Sequence, residues 1–256
     1  RQLARSSSPQ DTHYYLLCLA SVKEDAFGPA KGLVRNSDPR VRRLGIAALD
    51  SCHGPKVEEA LLDLLNDPDD EVGDAAAISL TDPRRGTAIA LVPNLQSIIA
   101  RGGNAARRAV VALQRIPGEQ TETILVDALS KTSDPDLLAQ MADSLGMINS
   151  RMAVPGMIAL LDDARPLESM QYSERSATRA LAGARGQFSA KGVDAESITV
   201  LRARTVADAA LRSLTLIAGP SAPTNATLPT DTRPAGALRE QWEAWWKAGG
   251  GLSPRR

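Results

Sequence analysis

The chain has 256 residues, 43% of them apolar and only 3% aromatic. It is long enough for a sizeable core and too apolar for a disordered chain. Thirty basic and thirty acidic residues cancel, which argues against a protein built chiefly to hold phosphate backbones, and no run of 18 or more apolar residues occurs, so no membrane-spanning helix is expected.

Residues 1–10, with Ser6, Ser7, Ser8 and Pro9, read as a loop-like lead-in. The first residue is Arg1, not methionine, so the natural start is expected upstream and no signal peptide can be read or excluded. The helical period begins at Asp11. Ser37 or Asp38 is placed to cap a helix over 39–51, with Pro39 in its first turn. Val41, Leu44, Ala48 and Leu49 recur along it at helical spacing. His53, Gly54 and Pro55 break that helix. A second, over 56–66, carries Val57, Leu61, Leu64 and Leu65 on one face. Asp67 and Pro68 restart the cycle.

The later units repeat this plan. First helices are predicted near 68–80, 103–115, 135–147, 173–184 and 205–218, and second helices near 88–100, 120–131, 152–162 and 194–203. A long loop at 163–171 interrupts the series. The array spans 11–219. Residues 220–237, rich in Pro, Thr and Ala, read as an extended linker. A short helix from about Leu238 to Lys247 and a basic tail complete 238–256.

The units keep one register. Leu19, Leu49, Leu80, Leu113, Leu145, Leu181 and Leu214 stand 30 to 36 residues apart. Each follows a small residue: Cys18, Ala48, Ser79, Ala112, Ser144, Ala180 or Ser213. A constant period in this range marks a stacked repeat array. The expected fold is therefore all-α, an α-solenoid of about six to seven helical hairpins closed by a tryptophan-rich helix. Cys18 and Cys52, the only cysteines, fall near the small-residue line of neighbouring units. Buried thiols are the simpler expectation, and a disulfide the demanding one.

The run Asp38-Pro39-Arg40-Val41-Arg42-Arg43 through Ala47-Ala48-Leu49, then Val57 to Leu65, then Asp67-Pro68-Asp69-Asp70-Glu71-Val72, resembles the HEAT-repeat family, especially its short bacterial type named after phycobilisome lyases. The resemblance implies antiparallel helix pairs in a right-handed superhelix, second helices lining the concave face, and arginines pairing with aspartates of adjacent repeats. It also implies that Trp242-Glu243-Ala244-Trp245-Trp246 closes the array, an ending similar to that of exported bacterial arrays. From that ending comes an expectation of the bacterial cell envelope or periplasm over the cytoplasm.

Reaction chemistry is sought and mostly not found. His13 and His53 are the only histidines, and no cluster has zinc-type spacing. The HEAT-repeat enzyme deoxyhypusine hydroxylase is recognised by several His-Glu pairs that hold two irons, and this chain has none. Gly249-Gly250-Gly251 follows a helix rather than a strand, so it is no phosphate loop. Ser6 to Ser8 have no positioned base in sequence. Arg84, Arg85, Arg101, Arg107 and Arg108 form the densest basic stretch, without the aromatic residues that nucleic-acid binding would interleave.

The expectation is a non-catalytic protein-interaction scaffold, a subunit or accessory of a larger bacterial assembly, without cofactor or metal. The alternatives are a bilin or chromophore lyase, a chaperone-like HEAT protein, or a HEAT-like DNA-binding protein. Protein partners are expected on the concave face through Glu59, Asp63 and Asn66, with counterparts Gln96, Thr123 and Asp127, on a groove that leans acidic. The loop at 163–171 is the competing contact site. Trp242, Trp245 and Trp246 share a helix face. They are expected to cap the array by packing on the 205–218 helix near Leu211, Leu214 and Ile217.

Overall fold

The computed structural model describes residues 27–86, 88–167, 205–223 and 236–250. The Leu19 and Leu181 units lie outside these residues, as do the helices expected at 173–184 and 194–203, Cys18, the lead-in, most of the linker and the basic tail. Among the described residues the fold is all-α. Its helices are α1 (Phe27–Leu33), α2 (Pro39–Leu49), α3 (Pro55–Leu64), α4 (Asp70–Leu80), α5 (Val92–Arg101), α6 (Gly103–Gln114), α7 (Glu119–Lys131), α8 (Pro135–Met147), α9 (Val154–Ala159), α10 (Val206–Ala218) and α11 (Ala237–Lys247).

Local chemistry sets the helix starts. Asp38 accepts the Arg40 amide at 2.8 Å, with Pro39 opening α2. Asp69 accepts the Val72 amide at the head of α4, and Asp134 the amides of Asp136 and Leu137 at the head of α8. Each satisfies an amide that the helix itself cannot. Thr205 and Asp208 close a reciprocal capping box on α10. The second helices α3 and α7 instead follow Gly54 (φ 112°) and Gly118 (φ 143°), positions that favour glycine.

The chain divides into two compact units, Arg1–Ile116 and Pro117–Arg256. In the first, α2, α4 and α6 stack in series, and each second helix packs on the first helix that follows it: α1 on α2, α3 on α4, α5 on α6. The register leucines Leu49, Leu80 and Leu113 are fully buried. The small-residue line has a steric cause. A Cβ on Gly45 would sit 2.7 Å from the Val34 amide nitrogen and 2.9 Å from Leu33 Cβ, so α1 and α2 meet there almost backbone to backbone. Cys52, half-buried, places its Sγ 3.7 Å from the Ala48 carbonyl.

In the second unit α8 packs on α7 and on α10, and α9 packs on α7, α10 and α11. Leu145 and Leu214 are fully buried. The expected order placed a further helix pair between these two leucines. In the structure α8 and α10 are direct neighbours, so close that a Cβ added at Gly146 would lie 2.8 Å from Ser213 Cβ. Residues 163–166 and 205–207 are fastened to each other. Pro166 forms an antiparallel bridge with Thr205, Val206 donates its amide to the Arg165 carbonyl, and Ala207 donates to that of Asp163. Sequence spacing could not show this contact, because it counts residues and does not say which helices touch.

The tryptophan helix also takes an unexpected seat. α11 packs on α9 and on the turn Leu160–Asp162, not chiefly on α10. It thus stacks on the preceding second helix, and Arg239 ties it there by donating to Asp162 Oδ2 at 3.0 Å and Glu243 Oε1 at 2.9 Å. Both carboxylates hold the Arg239 guanidinium more firmly protonated than usual. Trp242 is fully buried, with Trp245 edge-on at 5.2 Å between ring centroids, and Trp245 and Trp246 are half-buried.

Candidate functional site

The arginines of the first unit divide into those taken up by the fold and those left at its surface. Arg42 on α2 forks onto Asp67, Nε to Oδ2 at 2.8 Å and Nη2 to Oδ1 at 2.7 Å, while Nη1 donates to the Asn36 and Ser37 carbonyls. Arg108 on α6 reaches the same loop from the other side. It donates to the Leu65 and Asp67 carbonyls, each at 2.7 Å, and to Asp70 Oδ1 at 3.0 Å. The Asp67–Asp70 junction is therefore clamped between α2 and α6. Arg43 pairs with Glu71 across adjacent repeats. These are the inter-repeat pairs that the family resemblance implied.

Arg85 works at helix ends. It donates to the Leu49 and Cys52 carbonyls below α2, to the Ser79 carbonyl on α4, and to Asp50 Oδ1. Helix C-termini leave carbonyls without intrahelical partners, and one planar fork satisfies several. Arg115 similarly donates to Thr81 Oγ1 at 2.9 Å.

The expected basic stretch is thereby corrected. Arg85 and Arg108 are buried side chains engaged with backbone carbonyls, and Arg84 is held by Asp82 at the surface. That pairing lowers the Asp82 carboxyl well below the usual range. Arg107 pairs with Asn104.

The sequence-derived binding residues fall as follows. Glu59 and Asp63 are exposed on α3, and Asn66 is exposed just past its end. Gln96 is exposed on α5. Thr123 and Asp127 are exposed on α7, in the other unit. There the Thr123 hydroxyl donates to the Glu119 carbonyl, and Lys131 pairs with Asp127 at 2.6 Å. In the loop expected at 163–171, the described part, 163–167, is a fastening. Arg165 donates to Asp163 and to the Ser133 carbonyl, and its hydrogen bond holds the Asp163 carboxyl below the ordinary range.

Glu59 and Asp63 line a groove between α1 and α3. Val34, Ala60 and Leu64 supply its apolar lining. Lys31 and Arg35 stand on the α1 side, and Lys56 shares the α3 side with the two carboxylates. The groove takes in neither Asn66 nor Gln96. It does not lean acidic as expected: both signs are present. Sequence reasoning passed over Lys31 and Arg35, which lie at and just past the end of α1, outside the helices it placed.

Among the described residues no helix is long and apolar enough to cross a membrane, and no group of three or more His, Cys, Asp or Glu side chains could hold a metal ion.

Residues 28–112 match the family model described as HEAT repeats. This supports reading the chain as a HEAT-repeat protein, and the matched stretch is the one that contains the arginine clamps and the groove. Among solved structures, human deoxyhypusine hydroxylase in complex with glycerol is similar at 19% identity, covering 96% of this chain and 82% of that one, with a TM-score of 0.29. A likeness of that degree carries no argument about activity. No curated protein matches the chain.

Proposed function

We propose that this chain is a non-catalytic protein-interaction scaffold whose binding face is formed by its second helices. One contrast carries the reading. On the first helices of the first unit, Arg42, Arg43 and Arg108 are engaged in bonds between repeats. The charged side chains of the α3 groove stand exposed and in no ion pair among the described residues. A surface that leaves its charges open, beside one that closes them internally, is the surface available to a partner. HEAT-repeat arrays offer extended faces for such contacts.

The short repeats, opened by Asp38-Pro39 and Asp67-Pro68, favour the short bacterial type, and with it a place as subunit or accessory in a larger assembly. The chromophore-lyase alternative requires aromatic walls, which the groove lacks. Addition of bilin with no change in its visible absorption dismisses that alternative.

The test is cross-linking from photoreactive residues placed singly at Glu59, Gln96 and Thr123 on second helices, and at Ala47 and Ile78 on first helices. Partner adducts confined to the second-helix positions support the scaffold reading. Adducts confined to Ala47 or Ile78 refute the choice of face.

A further inference from the structure

We infer that the α1–α3 groove is a docking channel for an extended peptide segment of alternating charge, acidic along one edge and basic along the other. The inference rests on the scaffold reading above and names the chemistry of the partner.

The argument begins with two local repulsions. Glu59 and Asp63 are four residues apart on α3, and Lys31, in the last turn of α1, stands with Arg35, in the turn just past it, on the other side. Like charges at the Glu59–Asp63 spacing cost a helix a few tenths of a kcal/mol. Either repulsion would be relieved if the two sides closed on each other. They do not: none of these four side chains forms an ion pair among the described residues, whereas elsewhere in this unit Arg42, Arg43, Arg84, Arg85 and Arg108 all do. The groove between α1 and α3 holds them apart, a cationic side facing an anionic one across the apolar lining of Val34, Ala60 and Leu64.

An occupant must therefore present carboxylates to one side and cations to the other. An extended chain does this without folding, because successive side chains point to opposite sides. The spacing also agrees. From Glu59 to Asp63 the four residues of α3 rise about 6 Å, and two residues of extended chain advance about 6.6 Å. A Glu-Lys-Glu-Lys stretch lying along the groove thus sets two carboxylates against Lys31 and Arg35, and two ammonium groups against Glu59 and Asp63. Lys56 stands one turn before Glu59 on the same side, so the anionic stretch is confined to Glu59 and Asp63.

The experiment uses the full chain and fluorescent ten-residue peptides read by anisotropy. One alternates Glu and Lys, one has the same residues in two blocks, and one is a neutral Gly-Ser repeat. The alternating peptide is expected to bind best, with affinity falling as salt is raised. Reversing one side, Glu59→Lys with Asp63→Lys, should weaken it about tenfold. Reversing the other as well, Lys31→Glu with Arg35→Glu, should restore it. All four positions line an open groove, so melting temperatures report whether each variant still folds. Equal binding of the block peptide, or a single-side reversal without effect, overturns the channel. If the peptides fail while cross-linking still places a partner at Gln96 or Thr123, the channel falls and the scaffold reading stands. If both fail, both fall.

Discussion

Arg212 and Asp143 form a buried ion pair across 69 residues of sequence, Nη2 lying 2.5 and 2.6 Å from the two carboxylate oxygens and Nε 3.1 Å from Oδ1. The pair joins α10 to α8, and both side chains are almost fully shielded, at 1% and 7% exposure. It lies within the α8–α10 contact that Gly146 and Ser213 also form. Removing one partner strands a buried charge. Arg212→Ala or Asp143→Ala is expected to destabilise the second unit by about 3–5 kcal/mol. Replacing both, Asp143→Leu with Arg212→Met, should recover most of that loss. Urea titration of the three variants checks this, and a double variant as unstable as the singles would show that the pair is more than an isolated charge contact.

Arg84 and Arg85 are adjacent and alike in sequence, yet the fold uses them oppositely. Arg85→Met removes the fork that serves the ends of α2 and α4, and should cost about 2–3 kcal/mol. Arg85→Lys should rescue little, since an ammonium lacks the planar fork. Arg84→Ala should leave the melting temperature unchanged, because the side-chain bonds of Arg84 among the described residues go to Asp82 at the surface. Thermal melts of the three decide it, and a full rescue by lysine would mean that charge alone matters there.

This pair shows where sequence legibility stopped. The fold class was readable because the leucine and small-residue register repeats, and repetition outweighs any single ambiguous position. The cap at Asp38 was readable from its place before Pro39; the one at Asp69 was not, because Asp67 and Pro68 were expected to restart the cycle, whereas Asp67 holds Arg42 and the helix begins at Asp70. Which arginine turns inward was not, because Arg84 and Arg85 differ only in the direction that a short turn, Pro83–Arg85, gives them. The candidate groove was half legible. Glu59 and Asp63 announced themselves on one helix, but their counterparts Lys31 and Arg35 stand on another, and only packing brings them opposite. The neighbourhood of α8 and α10 was hidden too, because a register counts residues and does not say which helices touch.

Gly45 tests the cause of the small-residue line. Its absent Cβ leaves room for the Val34 backbone, and backbone cannot swing aside as a side-chain tip can. Gly45→Ala should destabilise by about 1–3 kcal/mol, even though alanine is the better helix former. Gly28→Ala on α1 has open space around it and should be neutral or slightly stabilising. Denaturant midpoints compared between the two substitutions check the point. A stabilising Gly45→Ala would show that the α1–α2 approach relaxes freely.

The tryptophan helix gives the last test. Trp242 is the largest fully buried side chain among the described residues, so Trp242→Ala should cost about 3–5 kcal/mol. Trp245→Ala and Trp246→Ala should cost less, since both rings are half-buried. The indole nitrogens of Trp242 and Trp245 are shielded and have no hydrogen-bond partner among the described residues. A Trp242→Phe change therefore loses area but no hydrogen bond, and should fall well short of the alanine cost. The same ranking separates a cap from a docking patch. A cap that covers α9 and the 160–162 turn loses stability in order of burial, Trp242 first. A docking patch loses binding in order of exposure, Trp245 and Trp246 first. Melting and cross-linking yields measured on the same three alanine variants distinguish the two orders. Trp242→Ala melting like the unaltered chain would remove the capping role.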